Sequence, residues 1–146
     1  MAKFMKMLNN ISRSQALYRK REIQAEDLQG AHYALALIIC REPGRSQDEL
    51  ARELIINKST AARNLSYLEE KGYVKRIPQE SDKRQFSVYP TEKMLSVLPR
   101  IKEVSAKWRE FISDGISEDE LSVFNSVLER MHEKAKEIAL GGDEEK

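Results

Sequence analysis

Residues 57–89 constrain this chain most. Asn57 opens a helical segment, since its side chain can accept from backbone N–H groups two or three residues on, and Gly72 closes that helix after Lys71. Two strand-like stretches follow, Tyr73 to Ile77 and Arg84 to Tyr89, around the polar turn Glu80-Ser81-Asp82-Lys83-Arg84. Phe86 and Val88 alternate with Gln85, Ser87 and Tyr89, the period-two mark of a half-buried strand, whereas the first strand alternates poorly. A helix running directly into a basic hairpin is the order needed to put one helix in a DNA major groove and a hairpin tip beside it.

The segment before it completes a helix-turn-helix. Ser46-Gln47-Asp48-Glu49 reads as a capping box, so a short helix is expected to about Leu54, with Leu50, Ala51 and Leu54 inward. Only Ile55 and Ile56 separate it from Asn57, a connection short enough to make the two helices cross. On a wheel of about 100° per residue, Ala61, Leu65 and Leu68 share one face, and Ser59, Arg63, Ser66, Tyr67 and Glu70 lie opposite.

Further out, the pattern is helical. From Lys3 to about Arg21, Phe4, Met7, Leu8, Ile11 and Tyr18 fall at helical spacing, with six basic residues and no acidic one. A second helix after Glu26-Asp27 is apolar nearly all round and ends at Pro43-Gly44, which suits the middle of a core. A long helix is expected from about Thr91 to Ser113, with Leu95, Leu98, Ile101, Val104, Trp108 and Phe111 inward and Pro99 as a kink or second start. Ser117 and Glu120 open a last helix whose Leu121, Phe124, Leu128, Met131, Ala135 and Ile138 recur in steps of three and four, which suits helix pairing. Residues 141–146 read as a frayed tail.

Charge divides along the chain. Residues 1–109 hold 21 Lys and Arg against 13 Asp and Glu, and residues 110–146 hold 4 against 11, a split of +8 and −7 that the overall +1 conceals. The front part is therefore suited to meet an anion. Near the start of the helix opened by Asn57 stand Lys58, Ser59, Thr60, Arg63, Asn64 and, further on, Tyr67; around the hairpin stand Lys75, Arg76, Asp82, Lys83 and Arg84. Arginine can contact guanine in bidentate fashion, asparagine can pair with adenine, and Ser or Thr can bond a phosphate or base edge. An arginine at a hairpin tip suits the negative potential of a narrow minor groove, and Asp82 is placed to fix the direction of Arg84. A solvated helix face and a solvated charged turn are the plainer alternatives, as is a winged-helix module that binds protein instead of DNA.

Other chemistries find little support. The histidines, His32 and His132, stand far apart, and with one cysteine and no Gly-rich phosphate loop they make no recognisable nucleophile and base. His32, Glu22, Glu26 and Cys40 match no strong metal-ligand spacing, so no cofactor or metal is expected. Cys40 follows Ile38 and Ile39 and reads as a buried thiol, not a sensor. With no signal-peptide core and no membrane-length apolar run, the chain reads as cytoplasmic, with no membrane partner.

Leu50-Ala51-Arg52-Glu53-Leu54, Asn57-Lys58-Ser59-Thr60, Leu68-Glu69-Glu70-Lys71-Gly72-Tyr73-Val74, Asp82-Lys83-Arg84 and Thr91-Glu92-Lys93 resemble the MarR family of prokaryotic transcription regulators. The resemblance implies one domain over residues 1–146, mainly α with a small β-hairpin wing. The winged helix-turn-helix lobe would span residues 28–90, and helices at both ends, residues 1–27 and 91–140, would form the dimerisation region. It implies a homodimer on a palindromic operator in double-stranded DNA, acting commonly as a repressor released by a small ligand. The start of the recognition helix would lie at Asn57 to Asn64 and the wing tip at Asp82 to Arg84. An effector would lie between the dimerisation helices and the DNA-binding lobe, near Tyr18, His32, Tyr33, Leu35 and Trp108, although a plain core is the simpler reading of these residues. Two departures stand out. Ile55 occupies a turn position where the family often has glycine, which predicts a rebuilt turn, because positive φ is disfavoured for a β-branched residue. Pro90-Thr91-Glu92-Lys93-Met94 replaces the family's Leu-Thr-x-x-Gly, which predicts a different start to the long helix.

Overall fold

The computed structural model describes residues 2–25 and 27–141. The order is α1 (Ala2–Glu22), α2 (Ala31–Arg41), α3 (Gln47–Leu54), α4 (Lys58–Glu70), β1 (Val74–Pro78), β2 (Phe86–Pro90), α5 (Glu92–Ile112) and α6 (Glu118–Gly141). Local chemistry sets most boundaries. Ser46 accepts from the Glu49 N–H, Asn57 from the Thr60 N–H, and Thr91 from the Met94 N–H, so each side chain satisfies a donor that the first helical turn would leave open. Ser117 and Glu120 cap each other reciprocally at 3.1 and 2.9 Å. Thr91 also donates to the Gly72 carbonyl at 2.6 Å, which ties the start of α5 to the end of α4.

The turn at Ile55 is not rebuilt. Ile55 takes the left-handed conformation itself, with φ 53° and ψ 48°. Its N–H bonds to the Arg52 carbonyl and that of Ile56 to the Ala51 carbonyl, the paired bonds of a Schellman motif with isoleucine where glycine is usual. A β-branched residue held there carries strain of roughly 1–3 kcal/mol, which the packing of α3 against α4 must sustain.

The core centres on α2, as its apolar character requires. Leu35, Ala36 and Ile39 meet Leu50 of α3, Leu65 and Leu68 of α4, Val74 and Val88 of the hairpin, and Ile101 and Val104 of α5. The strands pair antiparallel from Val74 opposite Pro90 to Pro78 opposite Phe86, and Ser46 bridges to Ser87 beside them.

Two expectations need correction in α5. Pro99 lies within one continuous helix and starts no second one. Met94, not Leu95, is the fully buried residue of its first turn, while Leu95 is half exposed and Phe111 is exposed. α6 buries none of its 24 residues, leaving Val123, Phe124, Val127, Leu128, Met131 and Ile138 open. Of the expected frayed tail over residues 141–146, Gly141 instead ends α6, and residues 142–146 lie outside the described residues. No described helix is long and apolar enough to cross a membrane.

Candidate nucleic-acid interface

The capped start of α4 presents its polar face outward. Asn57, Lys58, Ser59, Arg63 and Ser66 are exposed, while Ala61, Leu65 and Leu68 are fully buried on the other face. Arg63 makes only a 3.4 Å bond to the Thr60 hydroxyl. Ser59 donates to the Asn57 cap at 2.8 Å, and Lys58 lies 3.8 Å from Asp48 while remaining open to solvent. Exposed donors at a helix N-terminus, with the positive end of its dipole, suit a phosphate contact.

At the hairpin tip Asp82 accepts from the Arg84 N–H at 3.0 Å and lies 3.7 Å from its guanidinium, whose side chain is 96% exposed. Lys75 and Lys83 are exposed as well. Neither Arg63 nor Arg84 is withdrawn into the protein by an ion pair to another element among the described residues.

Three of the predicted contact residues are engaged elsewhere. Arg76 lies on the inner face of β1, bonded to Glu69 at 3.1 Å and Gln47 at 3.3 Å, with its guanidinium over the Phe86 ring. Burial pushes the Glu69 carboxyl up, but the hydrogen bonds and charge of Arg76 outweigh it and hold Glu69 below the ordinary carboxylate range. Tyr67 turns toward α2 and the loop before it: its hydroxyl donates to the Asp27 carbonyl at 2.9 Å and its ring stacks on His32 at 4.8 Å. Asn64 is half buried beside His32, donating to the Thr60 carbonyl at 3.1 Å. The wheel placed Tyr67 outward, but it stands at the edge of the face, where a long side chain can reach either way.

Asp27 is the residue that sequence reasoning missed. Its carboxylate accepts from the Tyr73 hydroxyl at 2.7 Å and lies 3.5 Å from Lys93, and these partners hold it below its ordinary range. Separations of 46 and 66 residues leave no local signal. Burial, aided by Asp27, pushes the Tyr73 hydroxyl well up.

The five residues considered for an effector do not form one site. Tyr18 and Trp108 line a cleft of about 1150 Å³ between α1 and α5, together with Arg13, Arg21, Lys107 and Phe111. Tyr33 and Leu35 belong to the core, Tyr33 donating to the Leu28 carbonyl at 2.8 Å, and His32 is buried with Nδ1 accepting from the Gln29 N–H. Among the described residues no cluster of His, Cys, Asp and Glu is arranged to hold a metal ion. Cys40 is half buried, and burial raises its thiol pKa.

Comparison with known proteins agrees with this arrangement. Residues 26–85 match the model of the MarR family. The uncharacterized HTH-type transcriptional regulator YybA of Bacillus subtilis (strain 168) is 28% identical over 110 residues, which cover 75% of this chain and 73% of that protein. A MarR family regulator from Listeria monocytogenes, solved with a 26mer DNA, shares the fold with a TM-score of 0.88 at 21% identity, over 96% of this chain and 93% of the other. The crystal structure of MarR is 32% identical and superposes with a TM-score of 0.79, covering 95% of this chain and 93% of its own. With this likeness spanning nearly both chains, and the capped helix pair, wing and flanking helices all in place, the protein belongs to the MarR family of transcriptional regulators.

Proposed function

We propose that the protein is a cytoplasmic regulator that binds a palindromic operator in double-stranded DNA as a homodimer and acts as a ligand-responsive repressor. The observation that carries this reading is the pairing of the open N-terminal face of α4 with a wing whose Lys83 and Arg84 project into solvent. α4 reads the major groove through Asn57, Lys58, Ser59, Thr60 and Arg63, and the wing tip meets the adjacent minor groove through Arg84. A protein-interaction module would have little need for these cations to stay open.

The dimer rests on the ends of the chain. α6 presents Phe124, Leu128 and Met131 on one stripe with nothing of its own buried, and α1 leaves Met7, Ile11 and Leu17 exposed. A contiguous apolar stripe left open by the fold requires a partner, and a second copy supplies the two-fold symmetry that a palindrome demands. The lobes expected at residues 28–90 and at the two ends fit this division of labour. The cleft beside Tyr18 and Trp108 is the place for an effector, since it combines aromatic walls with Arg13, Arg21 and Lys107.

Arg84→Ala tests the wing. Its side chain is almost wholly exposed, so the dimer is expected to stay folded while affinity for the wild-type operator falls roughly tenfold or more, about 0.7 kcal/mol or one hydrogen bond of ordinary net strength in each half-site. Full affinity in a fluorescence-anisotropy titration would remove the wing from the interface.

A further inference from the structure

The C-terminal half of α4 is tied to the helical frame by contacts that its N-terminal half lacks. The Tyr67 hydroxyl donates to the Asp27 carbonyl at 2.9 Å, in the loop between α1 and α2, and its ring lies on the His32 ring at an interplanar angle of 6°. His32 also meets Asn64, one turn back on the same face. Lys93, in the first turn of α5, donates to the Lys71 carbonyl at the end of α4 at 2.7 Å and lies 3.5 Å from the Asp27 carboxylate. Its ammonium stands over the Tyr73 ring at 4.3 Å, while Tyr73 holds the other oxygen of Asp27. The neighbouring frame is closed by Arg100 of α5, which donates to the Glu22 carbonyl at the end of α1 at 2.9 Å. Cations at a helix C-terminus are favoured by its dipole, so Lys93 suits this place electrostatically as well as by reach.

From this clasp we infer that Tyr67, Asp27 and Lys93 are positioning residues, which set the orientation of the recognition helix relative to the dimer axis and so decide which half-site spacing the protein accepts. The inference rests on the proposed DNA reading. A dimer reads two half-sites at a separation fixed by how its recognition helices stand to the two-fold axis. The contacts of α4 to the loop after α1 and to the start of α5 are the direct mechanical link between that helix and the paired ends. Loosening them lets the helix sample other orientations, which costs affinity at the right spacing and less at a wrong one. Tyr67 thereby acts on DNA through α4 without touching it.

The test uses the full-length protein and an operator selected by the wild type from a randomised pool, then rebuilt with one or two base pairs added to or removed from its centre. The quantity read is the affinity ratio between the selected and the altered spacing. Tyr67→Phe keeps the ring stack and removes only the hydroxyl bond, and Lys93→Met removes the bond to Lys71 while keeping the side-chain length. Each is expected to lower that ratio by about fivefold, the equivalent of one hydrogen bond of ordinary net strength, with the dimer, the salt dependence and the preferred bases unchanged. A ratio equal to that of the wild type in both variants, whatever happens to melting temperature, overturns the inference and leaves the clasp a stabilising feature only. A change in base preference or a shallower salt slope in Tyr67→Phe also overturns it, because that marks a direct contact. If the wild type selects no operator, the DNA reading itself fails, an outcome separate from the other two.

Discussion

Arg76 offers a sharp test because its sequence context and its surroundings point in opposite directions. Within a basic hairpin it reads as a phosphate contact, but its side chain is only 18% exposed and is committed to Glu69, Gln47 and the Phe86 ring. Arg76→Ala removes the guanidinium's bond to the Glu69 carboxylate and its bond to the neutral Gln47 amide. At full strength these would stabilise by roughly 2–4 kcal/mol, but Glu69 is 41% exposed and recovers water when its partner leaves. The Arg76 Nε is buried with no hydrogen-bond partner among the described residues, and deleting it relieves about 1 kcal/mol of desolvation. The net expectation is a loss of about 1.5 kcal/mol, or roughly 3–6 °C in melting temperature for a chain of this size. Thermal melts at matched dimer concentration measure the first part. The salt dependence of operator binding measures the second: a buried arginine leaves the slope unchanged, whereas losing a phosphate contact from each half of a dimer flattens it by about 1.8. Unaltered stability with a flattened slope would refute the assignment of Arg76 to the fold.

Other perturbations separate the remaining parts of the account. His32 has a pKa held below its ordinary value near 6.5 by burial, only partly offset by Asn64 and Asp27, so the unfolded chain binds its proton more readily than the folded one. Its contribution to stability is complete above pH 6.5 and declines as pH falls toward the lowered folded value; urea midpoints at two pH values spanning that window should show a drop in the wild type that His32→Phe lacks, and equal drops would dismiss His32 as the cause. Leu128→Glu with Met131→Glu places charges on the open stripe of α6, where neither side chain is buried within the protomer. Sedimentation should then show a folded monomer, and operator affinity should fall by about 100-fold or more as the linked second half-site is lost; a persistent dimer would mean that α6 is not the interface.

What was legible in the sequence was what short-range chemistry decides. Ser46 with Glu49, Asn57, Thr91 and Ser117 with Glu120 fix helix starts through contacts three residues apart, so their helices could be read directly. Arg76 was less legible, because β1 inverts the usual pattern. Val74 and Arg76 share the inner face, while the apolar Ile77 is half exposed, and only Glu69 and Gln47 make the inward charge tolerable. Ile55 shows the reverse case, a residue with the wrong intrinsic preference carried into the left-handed region by the helices on either side. The clasp at Asp27 was invisible, since its partners lie 40, 46 and 66 residues away. α6 could be read as an amphipathic helix, but none of the described residues buries its apolar stripe.

The central claim is that two copies of α4 and its wing read a symmetric DNA site. Footprinting of the purified protein across the DNA upstream of its own gene, at low salt and again at physiological salt, tests it most directly. The account predicts two protected segments related by a dyad, with centres about 10 base pairs apart or a multiple of that, and protection that weakens steeply with salt. Uniform, sequence-independent protection, or none at low salt, would contradict it.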